Sequence, residues 1–323
     1  MKHFLVINPL SFRSQEGLNK IISEINNTFS AMQFKIHISR FSRDAIAAVH
    51  RYISGCPDDE IVRIYAIGGD GILFDCLNGM QDFSNAELTS VPYGTNNDFI
   101  LAFGENVNGS MTKRFRDLKT LSSSPSRPVD IINCGSNYAM LEVNIGIIGQ
   151  MLINKEKIFS KIPEKILRKN VGLTYSLAAA LALFNREVLN QHYTILMDGE
   201  DLSGSYYHIK LANCACNAGS FTPNPYARPD SGYMEVTLAS TTSKMKIIRT
   251  MGDYNKGHSE KHNFFIHKRC RKLEVKSDRA MSVMIDDESF FIEDIKLELK
   301  PAAIKFFAPK DLDIVDYSYK AYK

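Results

Sequence analysis

Apolar residues in the first part of the chain switch repeatedly between strand spacing and helix spacing, and this alternation limits the possible folds more than any other feature. Phe4–Ile7 is a short apolar run stopped by Asn8-Pro9, a turn signal. Leu18, Ile21, Ile22, Ile25 and Phe29 then recur at helical intervals. Phe34, Ile36 and Ile38 alternate with Lys35, His37 and Ser39, as in a strand, and Ala45, Ile46, Val49 and Ile53 line one side of a second helix. Ile61–Ile67 is a β-branched run suited to a buried strand, Ile72–Leu77 starts a third helix, and Leu88–Val91 is a further strand before Pro92. Parallel neighbours need a crossover connection, so this order predicts an α/β domain with a largely parallel sheet.

The texture changes after Ser122-Ser123-Ser124-Pro125-Ser126-Arg127-Pro128, the most linker-like stretch. Val129–Ile132, Tyr138–Val143, Tyr193–Met197, Tyr206–Leu211, Met234–Leu238, Leu273–Val275, Met281–Ile285 and Ile295–Leu299 read as strands, with helical patterns only at Leu173–Phe184 and Lys244–Tyr254. Many short strands with turn punctuation predict a mainly β, sandwich-like second domain. The expected division is an α/β domain over residues 1–125 and a β domain over residues 129–299, and 323 residues suit two domains.

Composition removes several function classes. The net charge of +3 gives no argument for nucleic-acid binding. No apolar run approaches the length of a membrane span, and the run before Pro9 is too short for a signal peptide, so a cytoplasmic protein is expected. The six cysteines are scattered. Cys214 and Cys216, placed on one strand, would face the same side, unlike a CxxC redox or zinc loop, and all six read as buried free thiols. His50, His192 and His208 lack ligand spacing.

The chemistry concentrates in three turns that follow strands. Ile67-Gly68-Gly69-Asp70-Gly71 lies between a buried strand and a helix. Its glycines allow a sharp turn and close approach to a ligand, and the helix N-terminus favours an anion. Asp70 among phosphates would need a cation between, which suggests Mg²⁺; a plain turn with Asp70 as helix N-cap is the alternative. Val91-Pro92-Tyr93-Gly94-Thr95-Asn96-Asn97-Asp98-Phe99 also follows a strand and leads into a helix; it reads as a phosphate or ribose site, or as a capping cluster. Asn8-Pro9-Leu10-Ser11 leaves the first strand on the same side. In an open α/β sheet, ligands bind outside the carboxyl ends of the strands.

These turns carry a family resemblance. Asn8-Pro9-x-Ser11 is similar to NPxSG, Gly68-Gly69-Asp70-Gly71 with Asn78-Gly79 to GGDGT…NG, Pro92-x-Gly94-Thr95-x-Asn97-Asp98-Phe99 to PxGTxNDF, and Pro225-x-Ala227…Asp230-x-Gly232 to PxA…DG. In order and spacing the chain resembles the diacylglycerol kinase catalytic family of soluble bacterial lipid kinases, related to sphingosine and ceramide kinases and more distantly to NAD kinases and phosphofructokinases. The resemblance implies ATP in the cleft between the two domains and Mg²⁺-assisted transfer of its γ-phosphoryl group to a lipid hydroxyl such as that of diacylglycerol. It assigns Asn8, Pro9, Ser11, Ser39, Gly68, Gly69, Asp70, Gly71, Gly94, Thr95 and Asn97 to the nucleotide. It assigns Asp70 and Asp98 to the metal and its waters, and Asp230 to a structural Mg²⁺. It also implies that residues from about 300 to the C-terminus return to the first domain.

The family's catalytic acidic residues lie in a DGE motif. The literal Asp198-Gly199-Glu200 sits between two strand-like runs and reads as a hairpin turn. Asp286-Asp287-Glu288 is the better match by position, with Asp287 where the family has glycine. Two carboxylates two apart on an extended strand share a face, so Asp286 and Glu288 are expected to form a catalytic pair in which repulsion raises one pKa and tunes a base; an acidic hairpin facing solvent is the bland alternative. Ile72 and Phe12 also depart from the family pattern, replacing a Thr and a Gly. The readings held beside a lipid kinase are an NAD-kinase-like small-molecule kinase and a catalytically weak nucleotide- or lipid-binding relative. The expected partner is a lipid substrate at a membrane surface, inner and peripheral, with a homodimer open. The basic stretch from Lys256 to Lys272 reads as a solvated face or as a contact for anionic headgroups.

Overall fold

The computed structural model describes residues 1–160, 171–217, 219 and 221–322. The first part builds β1 (Lys2–Ile7), α1 (Gln15–Phe29), β2 (Gln33–Ile38), α2 (Asp44–Ser54), β3 (Val62–Gly68), α3 (Asp70–Gly79) and β4 (Ala86–Pro92). These four strands pair in parallel in the order β2-β1-β3-β4, with Ile7 level with both Ile38 and Ile67, and Gly68 level with Pro92. β3 and β4 are buried along their whole length because helices cover the sheet. Two short helices follow, α4 (Ser110–Arg116) and α5 (Leu118–Ser122).

The second part contains β5 (Ser126–Asn133), β6 (Tyr138–Ala139), β7 (Glu142–Gly146), α6 (Ile147–Phe159), α7 (Val171–Phe184), α8 (Arg186–Leu189), β8 (His192–Met197), β9 (Glu200–Asp201), β10 (Gly204–Ala212), β11 (Met234–Ser240), α9 (Lys244–Asn255), β12 (Phe265–Cys270), β13 (Lys272–Ile285) and β14 (Glu288–Phe307). Its strands pair antiparallel around one core that includes Val143, Tyr193, Leu211, Val236, Val283 and Leu297. The long β14 joins the two parts. It pairs with β13 at its start, and Lys305 and Phe306 then lie parallel to Glu87 and Leu88 of β4. Ile304, Phe306, Phe307, Leu312 and Tyr317 enter the core of the first part.

Several local expectations are corrected. The stretch read as a linker is tied down. The buried Arg63 guanidinium donates to the carbonyls of Ser122 and Ser124 and pairs with Glu87, and β5 already begins at Ser126. Phe99–Phe103 is one buried 3-10 turn rather than the start of a longer helix. Tyr138–Val143 is two strands, and the two runs within Lys272–Ile285 are one strand with a bulge. Cys214 and Cys216 lie in the loop beyond β10, not on a strand; every cysteine is free, and all but the half-buried Cys56 are buried. The helix α6 has no periodic signal. It leaves β7 directly through Gly146 (φ 94°), and its Gly149 lies where a Cβ would sit 2.3 Å from the carbonyl oxygen of Ser282.

His208 on β10 is buried beside Tyr254, whose hydroxyl lies 2.9 Å from its Nε2. Burial, with the Lys210 charge second, lowers its pKa to about 3. Below about pH 6.5 an unfolded chain takes up a proton that folded His208 refuses, so stability should fall as pH drops toward 3. At pH 5 the penalty is roughly 2 kcal/mol. His208→Gln should flatten that acid limb in denaturant titrations at several pH values; parallel profiles for the two proteins would exclude this origin.

Candidate active site

The three turns converge at the carboxyl edge of the parallel sheet because each follows one of its strands, and Ser39 stands there at the end of β2. In the first turn, the Asn8 side chain caps Pro9–Ser11 by accepting from Leu10 N at 3.0 Å. A Cβ on Gly68 would meet Ile72 at 2.7 Å, Ser11 at 3.1 Å and Asn8 at 3.2 Å. Ile72 and Phe12, two of the departures from the family pattern, are therefore core residues. Ile72 fills the space beneath Gly68, and Phe12 is buried and stacked on Tyr93, with ring centres 4.9 Å apart.

The second and third turns are in backbone contact. Gly94 N and Tyr93 N donate to Gly68 O at 2.8 and 2.7 Å, and Asp70 N donates to Asn96 O at 3.1 Å. A Cβ on Gly94 would lie 2.3 Å from the Gly69 Cα, so this approach needs glycine on both sides. Around Gly71 a Cβ would find nothing within 4 Å, which leaves open space at the start of α3. Thr95 is exposed on the rim, and Asn97 folds its amide onto Gly94 O at 2.8 Å.

Asp70 is buried. Its Oδ2 accepts from Asp98 N at 2.7 Å, while its Oδ1 is buried with no hydrogen-bond partner among the described residues. Burial, with Asp98 and Asp287 nearby, holds its carboxyl well above the ordinary range. Asp98 in turn accepts from Gly219 N at 2.8 Å. Asp230 is engaged elsewhere: its two oxygens accept from Arg228 Nε and Nη2 at 3.0 and 2.9 Å, so a cation there would have to compete with that guanidinium.

The acidic hairpin corrects the expected extended pair. β13 and β14 pair from Ile285 to Glu288, so Asp286 and Asp287 form a two-residue turn, with Asp286 at φ 50°. The Asp286 carboxylate is buried and accepts from the backbone of Met140, Leu141 and Glu142 at 2.9–3.0 Å. It thus occupies the gap between β6 and β7. Burial pushes its pKa up to about 7 although the three N–H groups pull the other way. Asp286→Asn places an NH₂ against those donors and should cost about 2–3 kcal/mol of stability. Unchanged thermal unfolding with lost activity would instead return Asp286 to the chemistry.

Glu288 is partly buried on the far side of the turn. Burial raises its pKa, Arg43 opposes that, and Glu156 and Asp287 add to it. Burial raises the Asp287 pKa, and the Lys155 charge and the Asn96 side chain oppose it, so the residue replacing the family glycine lies near the third turn. Asp75, one turn along α3 from Asp70, is raised to about 7 by burial and by Glu288. Asp198-Gly199 is a turn with φ 46° and 91°, as expected of a hairpin.

Arg43, Lys155 and Asp75 were missed by sequence reading. Arg43 starts α2 at φ 66°, donates to Asn137 Oδ1 at 2.8 Å and lies over Phe74 and Phe290, 5.8 and 5.5 Å from their ring centres. No motif marks it, because only the long-range contact with β14 brings it to Glu288. It stands in a groove of about 1520 Å³ between α2 and the start of β14, lined also by His50, Asn78, Ile285 and Ile292.

Comparison with known proteins fits this arrangement. Residues 2–134 match the diacylglycerol kinase catalytic domain, and residues 159–308 match the YegS C-terminal NAD kinase beta sandwich-like domain. A protein of Pseudomonas syringae named probable lipid kinase YegS-like is 24% identical over 273 residues, 84% of this chain and 80% of its own length. One from Shewanella frigidimarina with the same name is 25% identical over 80% of each chain. A diacylglycerol kinase structure from Bacillus anthracis superposes with TM-score 0.71 at 19% identity, covering 95% of this chain and 96% of that one. An Archaeoglobus fulgidus NAD kinase solved with ATP superposes at 0.51 and 11% identity, over 100% and 99% of the two chains. The first part of the chain is a diacylglycerol kinase catalytic domain, and the second is a β-sandwich-like domain of the YegS type.

Proposed function

We propose that this protein is an ATP- and Mg²⁺-dependent lipid kinase that moves the γ-phosphoryl group of ATP to a lipid hydroxyl such as that of diacylglycerol. The observation that carries the reading is the meeting of three strand-end turns, two of them bared by glycine, with the acidic hairpin that carries the partly buried Glu288. The backbone N–H groups and hydroxyls of the turns would hold the phosphates. Glu288 would take the proton of the acceptor hydroxyl as its oxygen bonds to the γ-phosphorus and ADP leaves.

The carboxylates suit Mg²⁺, which keeps several waters and needs only one or two protein oxygens besides phosphate. The buried Asp70 Oδ1, without a hydrogen-bond partner among the described residues, is the oxygen best placed to serve it, with Asp98 beside it. When bound, the ion would offset charge on the transferring phosphoryl group. Asp70 and Asp98 orient each other, and the close-packed glycines keep the turn backbones near the phosphates.

The test is incubation of the purified chain with labelled ATP, Mg²⁺ and a mixed lipid extract. A labelled lipid, lost in Glu288→Gln, is the expected result. NAD is run as a second acceptor, since the fold is shared with an NAD kinase. Phosphorylation of NAD without lipid would replace the reading. ATP binding without transfer to either acceptor would make the chain a non-catalytic relative.

A further inference from the structure

Two helices of the second part carry apolar stripes that no described residue covers. On α7 (Val171–Phe184), Leu173, Leu177, Leu181 and Phe184 recur at intervals of four, four and three; on α9 (Lys244–Asn255), Met245, Ile248 and Met251 recur at intervals of three. All seven are between 47% and 71% exposed. The stripes belong to one surface. The inner residues Ala182 and Ile247 share a core cluster with Tyr207, and Lys244 Nζ lies 4.3 Å from the centre of the Phe184 ring. An exposed apolar patch of this kind marks an interaction site.

The charge on the patch identifies the partner. The helix α7 has no acidic residue, and α9 sets Lys244, Lys246 and Arg249 among its apolar side chains. Its one acid, Asp253, is held by His262 at 2.8 Å. A surface that takes up apolar side chains and cations together is an anionic bilayer. A second copy of the chain would set the α9 cations against one another. The basic stretch singled out in the sequence serves less well, because Lys268 is bound to Glu200, Arg269 to Glu235, and Arg271 lies over Tyr233.

The patch also adjoins the acidic hairpin. Asn154 of α6 donates to Ala178 O of α7 at 3.2 Å, and Lys155 Nζ donates to Tyr175 Oη at 3.2 Å. The Lys155 charge acts on both Asp287 and Glu288. We propose that α7 and α9 form a docking face for an anionic lipid bilayer and bring the surface to the edge of the site that holds Glu288. Delivery of a lipid hydroxyl rests on the lipid-kinase reading; docking does not.

The test is co-sedimentation of the full chain with vesicles of phosphatidylcholine, with and without phosphatidylglycerol. Two double variants are compared, Leu177→Glu with Leu181→Glu, and Lys246→Glu with Arg249→Glu. Their side chains face solvent, and thermal melting confirms that they fold. Wild type should bind the phosphatidylglycerol vesicles more tightly than phosphatidylcholine alone, and each variant should lose about tenfold or more. Failure of wild type to bind, wild-type binding by both variants, or a dimer that either variant dissociates would overturn the proposal. Transfer to short-chain diacylglycerol in detergent micelles separates the two readings. Absent transfer with intact vesicle binding would sink only the kinase. Intact transfer without vesicle binding would sink only the docking face.

Discussion

Glu288→Gln should lower phosphoryl transfer by roughly 10²–10⁴-fold while leaving ATP binding near that of wild type. The carboxylate loses its capacity to accept a proton, but the replacement keeps the size of the side chain. Its partners are charges rather than backbone donors, so the fold should tolerate the change, in contrast to Asp286, whose oxygens are held by three N–H groups. The measurement is kcat from labelled-lipid assays beside the ATP dissociation constant and the unfolding midpoint. A fall in kcat alone supports Glu288 as the base. A variant with wild-type kcat would remove it from the mechanism and leave Asp287 or Asp75 to be tested.

Gly94→Ala should cost about 10²-fold in kcat/KM, the effect expected when reacting groups are displaced by about an ångström. The new methyl would stand 2.3 Å from the Gly69 Cα and 2.5 Å from its nitrogen, and backbone cannot turn aside as a flexible side chain can. The two turns must separate, and the Asp70 N–H bond to Asn96 O lengthens with them. Gly71→Ala is the matched control. Nothing lies within 4 Å of its Cβ, and alanine in a helix is favoured over glycine by roughly 1 kcal/mol. Gly71→Ala should therefore fold at least as well as wild type, and a loss of ATP affinity would show that the nucleotide uses that space. Full activity in Gly94→Ala would mean that the close approach of the turns plays no part in the reaction.

The departures from the family pattern divide once the packing is known. Ile72 and Phe12 replace a hydroxyl and a glycine of the family pattern, yet both side chains are buried in the core. Asp287 is different. It adds a carboxylate whose charge acts on Asp70, within the candidate site itself.

Local patterns were enough to determine where the strand ends of the first part lie, because alternating spacing and glycine turns are set by residues close in the chain. From them came the turns at Asn8, Gly68 and Gly94 and the hairpin at Asp198, whereas the choice of Asp286-Asp287-Glu288 over the literal DGE string came from the family resemblance. Tertiary structure decided what these residues do. The split between Asp286 and Glu288 depends on backbone N–H groups about 145 residues earlier in the chain. Arg43 meets Glu288 only because β14 runs from the second part back to the first. Tertiary structure also decided that the seven apolar residues on α7 and α9 face outward, since periodicity shows that a helix has an apolar stripe but not whether another part of the chain will cover it.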